Sequence, residues 1–156
     1  EIWILSPIET IQNGEYIISS ALSEKKVIDI AGNSSKNGTN IQLYDKNETS
    51  AQIWKISYDE TDDLYKIYNE GTGKALDAEG AGTSNKTNIH SWDQNETCAQ
   101  KWSIAKNGND YIIYSACSNL VIDVDAASTY NGTNIQLYKP NSTKAQKWHL
   151  IDDKSH

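Results

Sequence analysis

Short stretches of the chain alternate between apolar and polar residues, which is the pattern of a half-buried β-strand. Examples are Asn40-Ile41-Gln42-Leu43-Tyr44 and Trp54-Lys55-Ile56. Asn37-Gly38 and Asn131-Gly132 are typical of tight turns, because both residue types tolerate positive φ. No segment of ten or more residues carries the apolar period of a helix. The pattern therefore predicts an all-β protein.

The chain contains three copies of one sequence pattern, over residues 14–54, 63–102 and 109–148. Each copy has an Asp after an apolar residue, and this Asp is followed by an Asn after 11 residues, an aromatic residue after 15, a second Asn after 18, a Gln after 23 and a Trp after 25. Loops normally vary in length, so one geometric constraint acts on all three copies.

The length and number of the repeats narrow the architecture. The three Asp residues lie 48 and 46 residues apart, which is room for about four short strands per copy. A propeller of three blades falls below the usual minimum of four, whereas a closed barrel with threefold pseudosymmetry suits three copies. We therefore predict a single β-trefoil over residues 13–156, with residues 1–12 as an N-terminal linker or extension.

The repeated Gln-x-Trp, in register with an apolar-Asp step and an Ile-x-Leu/Ser-aromatic run, resembles the ricin B-chain lectin family. The resemblance covers residues 14–151. It implies a β-trefoil that binds galactose, N-acetylgalactosamine or related sugars through up to three shallow pockets, one in each repeat. Some bacterial members bind xylan, so a plant-wall polysaccharide is the alternative ligand.

The resemblance assigns four sugar-binding positions to each copy. The Asp accepts hydrogen bonds from sugar hydroxyls, the aromatic ring stacks on the sugar, and a polar residue and an Asn border the pocket. These residues are Asp29, Gln42, Tyr44 and Asn47, then Asp77, His90, Trp92 and Asn95, then Asp123, Gln136, Tyr138 and Asn141. For each position a purely structural role, in a turn or a strand face, is the competing interpretation.

Other repeated residues are predicted to support the pockets. The resemblance implies that Gln52, Gln100 and Gln146 hydrogen-bond the pocket Asp and hold it in place. The three Trp residues of the Gln-x-Trp motifs are expected to fill a shared core. Asn40, Asn88 and Asn134 are expected to be buried amides that satisfy loop backbone groups.

Two departures from the family pattern affect the predicted ligand. His90 replaces a Gln, and a histidine beside Asp77 can be partly protonated. The family frequently has an Asn directly before the motif Gln, where this chain has Ala51, Ala99 and Ala145. One expected donor is missing from every pocket, which leaves the identity of the sugar open. Trp92 offers the largest platform, so the second repeat is expected to bind at least as well as the others.

Charge and composition restrict the partners. The net charge is -7, with 14 Lys and no Arg against 21 Asp plus Glu, which disfavours nucleic acid and anionic membranes. No stretch is apolar enough for a membrane span. Cys98 and Cys117 are too few for a disulfide scaffold and form either one bridge or two buried thiols. The Lys-rich and Asn-rich composition suggests a bacterial source, and the resemblance favours a secreted protein.

Three function classes compete. A multivalent lectin module explains three identical constellations, because avidity rewards repeated weak sites. A glycoside hydrolase needs an asymmetric pair of carboxylates, which three symmetric Asp residues do not supply, so neither catalysis nor a cofactor is expected. An inhibitor or cytokine-like trefoil acts through one loop and has no reason to repeat these positions. The lectin prediction leaves room for a catalytic or toxin domain on the same parent chain.

Overall fold

The computed structural model describes residues 11–153, which form twelve β-strands connected by loops and short 3₁₀ turns, with no α-helix. The strands are β1 (Gly14–Ser20), β2 (Ser23–Ile30), β3 (Ile41–Asp45), β4 (Trp54–Asp59), β5 (Leu64–Asn69), β6 (Ala75–Ala78), β7 (Ile89–Trp92), β8 (Lys101–Asn107), β9 (Asp110–Ser115), β10 (Val121–Val124), β11 (Thr133–Tyr138) and β12 (Trp148–Asp152). Each sequence repeat supplies four strands, as predicted.

Six strands close into a barrel in which every strand pairs antiparallel with two others. The order around the barrel is β1, β4, β5, β8, β9, β12 and back to β1. The other six strands form the hairpins β2–β3, β6–β7 and β10–β11. Pairing of β11 with β3, and isolated bridges from Asn40 to His90 and from Asn88 to Gln136, join the hairpins to one another. This is the predicted β-trefoil.

The three motif tryptophans lie in the core, each with 0% of its surface exposed. Each indole Nε1 donates to the backbone carbonyl of the residue just before the pocket Asp. The acceptors are Ile28 at 3.1 Å, Leu76 at 3.2 Å and Ile122 at 3.1 Å. A buried indole needs such an acceptor, so the tryptophan fixes the strand that carries the Asp. The core role predicted for these residues is confirmed.

Three asparagines form a closed ring of hydrogen bonds between the repeats. Asn40 Nδ2 donates to Asn134 Oδ1 at 2.8 Å, Asn134 Nδ2 to Asn88 Oδ1 at 2.8 Å, and Asn88 Nδ2 to Asn40 Oδ1 at 2.9 Å. Their structural role is confirmed, but the expected burial and partners were wrong, because these half-buried amides satisfy one another and not loop backbone groups. The ring ties the three hairpins together.

Cys98 and Cys117 form a disulfide with a sequence separation of 19. It joins the second repeat to the third, and of the two alternatives that the sequence left open it is the bridge that forms. The predicted extension over residues 1–12 falls mostly outside the described residues. Only its end is seen, where the backbone N–H of Ile11 donates to the Tyr65 hydroxyl at 3.0 Å. No described helix has the length and apolarity to cross a bilayer.

Candidate functional site

A surface pocket lies beside each of the three repeated aspartates. We call them the first, second and third pocket, centred on Asp29, Asp77 and Asp123. All twelve residues predicted to bind sugar line these pockets, four in each. Ala51, Ala99 and Ala145 line them too, at the position where the family pattern frequently has a donor.

Both oxygens of each pocket aspartate accept a hydrogen bond from a side chain that follows at fixed spacing. At Asp29, Gln42 Nε2 donates to Oδ1 at 3.0 Å and Gln52 Nε2 donates to Oδ2 at 2.9 Å. The third pocket repeats this at 3.1 and 3.0 Å with Gln136 and Gln146. A carboxylate has about four acceptor positions, so each aspartate can also accept bonds from ligand hydroxyls.

In the second pocket an imidazole replaces one of these amide donors. His90 Nε2 lies 2.8 Å from Asp77 Oδ1, and Gln100 Nε2 donates to Asp77 Oδ2 at 2.9 Å. The other imidazole nitrogen of His90 lies 3.5 Å from Glu79 Oε1. The sequence predicted that His90 lies beside Asp77, but not that this position, like Gln42 and Gln136, holds the aspartate as well as bordering the pocket.

Burial raises the pKa of Asp29 and of Asp123 above the ordinary value of 3.8, and the hydrogen bonds from their two glutamines oppose this shift. The charge of Asp125 adds to the upward shift of the Asp123 pKa. A desolvated carboxylate with oriented donors is a strong acceptor for hydroxyl groups, because few water molecules compete for it.

The motif glutamine connects the aspartate to the loop that follows the aromatic residue. Besides Asp29, Gln52 Nε2 donates to the carbonyl of Asp45 at 2.8 Å, and its Oε1 accepts from the backbone N–H of Asn47 at 2.8 Å. Gln100 and Gln146 make the same contacts in the other two repeats. The buried side chain of Gln52 therefore holds two pocket residues, Asp29 and Asn47, in place.

The second repeated asparagine shapes this loop. Asn47 Oδ1 accepts from the backbone N–H of Thr49 at 3.1 Å and from its hydroxyl at 2.7 Å, and the other two repeats have the same turn. The turn-forming role occupies the side-chain oxygen. What remains for a ligand is the Nδ2 donor, so a sugar contact by Asn47, Asn95 or Asn141 stays a prediction.

The aromatic residues leave part of a ring open to solvent. Tyr44 is 37% and Trp92 is 40% exposed, which is unusual for large side chains on a strand, and Tyr138 is half-buried. Trp92 stacks on His90 with ring centroids 5.3 Å apart and an angle of 24° between the planes. Each ring borders its pocket and is available to cover an apolar face of a ligand.

Sequence reasoning missed two groups of pocket residues. The first is the 3₁₀ turn that begins two residues after each aspartate and whose residues, apart from Ala31, line the pockets; the turns are Ala31–Asn33, Glu79–Ala81 and Asp125–Ala127. The constant distance of this turn from the aspartate is a feature of the sequence from which its place at the pocket could have been predicted. The second group comes from the preceding repeat, where Gly38 reaches the second pocket and Lys86 the third. Such contacts between repeats leave no mark in local sequence.

The chain matches the family described as the ricin-type beta-trefoil lectin domain-like family, over residues 1–92, 50–138 and 98–156. Comparison with curated proteins gives no match. Solved structures include a designed threefold symmetric protein, ThreeFoil, with 30% identity and a TM-score of 0.85, covering 90% of this chain and 99% of that one.

Two larger proteins contain a similar domain. A mosquitocidal holotoxin has 26% identity and a TM-score of 0.86, with 92% of this chain aligned to 18% of the toxin chain. The exo-beta-1,3-galactanase 1,3Gal43A from Clostridium thermocellum has 26% identity and a TM-score of 0.84, with 90% of this chain aligned to 30% of that enzyme. The chain thus spans less than a third of either protein.

Proposed function

Because the chain belongs to the family of ricin-type beta-trefoil lectin-like domains, we propose that it binds galactose-type or N-acetylgalactosamine-type glycans through up to three shallow pockets. The observation that carries the proposal is the threefold repetition of one arrangement: a buried aspartate held by two side-chain donors, facing a partly exposed aromatic ring. A purely structural role in the hydrophobic core would require neither a buried carboxylate nor a partly exposed aromatic ring.

The proposed role of each pocket residue follows from the chemistry of a pyranose. The aspartate accepts hydrogen bonds from two neighbouring hydroxyls, the ring covers the C–H face of the sugar, and Asn47, Asn95 or Asn141 donates from Nδ2. Because alanine stands at the position directly before the motif glutamine, we assign to these asparagines the donor that the alanine position lacks.

A polysaccharide of the plant wall, such as xylan, is the second candidate ligand. The support for a polysaccharide ligand is the likeness to part of an exo-beta-1,3-galactanase from Clostridium thermocellum, since a module in such an enzyme has a use in holding it on a polymer; the polymer of that enzyme is a galactan and not xylan. The likeness to part of a holotoxin supports the first candidate instead. In either case we propose a binding module that accompanies a catalytic or toxin domain and has no catalysis of its own.

We further propose that the protein works outside the cytoplasm. The Cys98–Cys117 disulfide supports this, because such bonds persist in oxidising compartments. Three weak sites on one small domain also suit a surface that is dense in glycans. If each pocket binds at about millimolar strength, roughly -4 kcal/mol, simultaneous contacts raise the overall affinity without any new interaction.

The test is a titration of the ¹⁵N-labelled chain with methyl galactoside, N-acetylgalactosamine and xylo-oligosaccharides, followed by two-dimensional NMR. The backbone amides of Asn47, Asn95 and Asn141 report the three pockets separately. Asp29→Asn, Asp77→Asn and Asp123→Asn should each weaken binding at their own pocket by about tenfold or more, because each removes charge-assisted hydrogen bonds, and should leave the other two unchanged.

Glu24→Gln is the matched control, since it removes one carboxylate from an exposed position on β2, the strand of Asp29. Binding that is abolished equally at all three pockets by one Asp→Asn change would indicate unfolding and not site loss, which thermal unfolding of each variant checks. If no sugar shifts any pocket amide at high concentration, the proposed function is wrong.

A further inference from the structure

A turn from another repeat bonds to the strand that carries each pocket aromatic, and a residue of two of these turns, Gly38 and Lys86, lines the second and third pockets. The turn residues are Asn37-Gly38 beside the second repeat, Asn85-Lys86 beside the third and Asn131-Gly132 beside the first. Each asparagine Oδ1 accepts the backbone N–H of the residue after the pocket aromatic, at 2.8, 2.9 and 2.8 Å in that order. The next turn residue donates its own N–H to the neighbouring strand, at 2.8, 2.7 and 2.8 Å.

Lys86 stands where the other two turns have glycine. Its φ is 71°, compared with 85° at Gly38 and 89° at Gly132. Residues with a side chain rarely adopt this left-handed backbone conformation, whereas glycine does so freely. Strained residues of this kind concentrate at functional sites, and the side chain of Lys86 lines the third pocket together with Asp123 and Tyr138.

A second lysine, Lys139, is adjacent to this turn, because its backbone N–H bonds to Asn85. The residue after the pocket aromatic is Asp45 in the first repeat and Asp93 in the second, but Lys139 in the third. Asp45 and Asp93 form ion pairs with Lys26 and Lys74. In the third repeat Leu120 takes the place of that lysine, so the whole ion pair is absent and a cation replaces the acidic member.

The two lysines have no carboxylate partner within the described part of the chain. Neither ammonium group takes part in a salt bridge or side-chain hydrogen bond there, although the backbone N–H of Lys139 bonds to Asn85, the neighbour of Lys86. Asp125 lines the same pocket without pairing with either lysine. On a protein of net charge -7, one unpaired cation in the pocket and a second one on a residue bonded to the same turn point to an anionic ligand.

We propose that the third pocket selects acidic saccharides, those that carry a carboxylate or sulfate, and that Lys86 and Lys139 are its specificity-determining residues. This rests on the proposed sugar-binding function. Asp123 accepts the hydroxyl groups of the sugar, and the acidic substituent lies over the lysine rim, where the hydrogen bonds it accepts are charge-assisted. The first and second pockets, with an aspartate at the position of Lys139, give an acidic sugar no such contact.

The test compares methyl galactoside, methyl galacturonide and galactose 6-sulfate in the same pocket-resolved NMR titration. At the third pocket one or both acidic probes should bind roughly threefold to tenfold more tightly than methyl galactoside, the range expected for partly exposed ion pairs. At the first and second pockets they should bind no more tightly. Raising the salt from about 20 mM to about 500 mM should remove the preference, because it screens exposed charges.

The decisive variant is Lys86→Gly with Lys139→Asp, which installs the residues of the other repeats and relieves the strained turn. It should abolish the preference for acidic probes at the third pocket, while methyl galactoside binding at the first and second pockets, which neither residue lines, stays within about twofold. Lys86→Gln separates the charge of the side chain from its length. Gly132→Lys with Asp45→Lys, checked for folding by thermal unfolding, should transfer the preference to the first pocket.

The possible failures are distinguishable. If methyl galactoside binds at all three pockets and neither acidic probe binds more tightly at the third, this inference is wrong and the proposed function stands. A preference that survives Lys86→Gly with Lys139→Asp also overturns the inference. If no probe, neutral or acidic, shifts any pocket, the proposed function itself fails.

Discussion

The second pocket and its two counterparts share a framework but not a surface. In all three, the motif glutamine donates to Oδ2 of the aspartate at 2.9, 2.9 and 3.0 Å, and the motif tryptophan is fully buried. Around this constant frame the second pocket has His90, Ser91 and Trp92 where the others have Gln, Leu and Tyr. The second pocket also lies next to the disulfide, because Cys98 is the first residue of the 3₁₀ turn Cys98–Gln100.

One of the two side chains that hold the aspartate can thus change from an amide to an imidazole while the contact from the motif glutamine stays the same. The aspartate, glutamine and tryptophan make buried hydrogen bonds, and a buried polar group that loses its partner lowers the free energy of unfolding. These three residues therefore stay the same in every copy. Of the three residues that differ, only Trp92 is exposed, at 40%, whereas His90 and Ser91 are buried. The repeats therefore differ at pocket positions such as Trp92 and Lys86, while the residues at the positions of Gln100 and Trp102 are the same in all three.

The largest expected effect concerns the disulfide. Replacing both Cys98 and Cys117 by alanine should lower the free energy of unfolding by about 3 kcal/mol, because the bond closes a loop with a sequence separation of 19 and so restricts the unfolded chain. Urea unfolding measures the change. We also expect the second pocket to lose affinity while the first does not, since Cys98 begins the turn that carries Gln100.

Reduction of the parent protein is the internal control for this prediction. A reductant should lower its stability by a similar amount and should have no effect on the double alanine variant. A double variant as stable as the parent would show that packing around the two residues, and not the covalent bond, joins the second and third repeats.

The next effect tests the aromatic wall. Trp92→Ala should weaken sugar binding at the second pocket by about tenfold, which corresponds to roughly 1.4 kcal/mol of lost stacking and covered surface. Trp92→Tyr should bring the affinity to that of the first pocket, where Tyr44 is exposed to a similar degree. NMR titration of both variants gives the values. Equal binding by the parent protein and Trp92→Ala would remove the stacking role and leave Trp92 as a rim residue.

The sequence predicted the framework well because the framework is periodic. Constant spacing from the aspartate to the glutamine and the tryptophan can persist in three copies only if all three residues meet in one geometry, and they do. Strand alternation around residues such as Ile41 and Leu43 gave the strands for the same reason, since both are fully buried. Local pattern and tertiary structure agree at these positions.

What the sequence did not predict depends on contacts between repeats. The ring of Asn40, Asn88 and Asn134 joins residues 46 to 94 positions apart, and each member seen alone resembles a loop amide. The turn that brings Lys86 to the third pocket is likewise placed by a neighbouring repeat. A non-glycine residue at a turn position was visible in the sequence, but its meaning required the fold.

The smallest effect is a pH dependence that separates binding from stability. Burial raises the pKa of Asp29 above its ordinary value of 3.8. The stability contributed by this raised pKa is fully present below about pH 3.8 and is lost as the pH rises through the folded-state value. In the proposed binding mode the sugar needs the ionised carboxylate, so the affinity changes in the opposite direction and weakens as the pH falls through that same value.

We accordingly expect the affinity of the first pocket for methyl galactoside to decrease between pH 7 and pH 4, with Asp123 producing the same trend at the third pocket, since burial also raises its pKa. Asp29→Asn removes the titrating group and should abolish the trend at the first pocket alone. Its stability relative to the parent should improve as the pH rises, because the parent then has a desolvated charge that the amide lacks. A first-pocket affinity that is constant or increases towards pH 4 would mean that the buried carboxylate supports the pocket without accepting hydrogen bonds from the sugar.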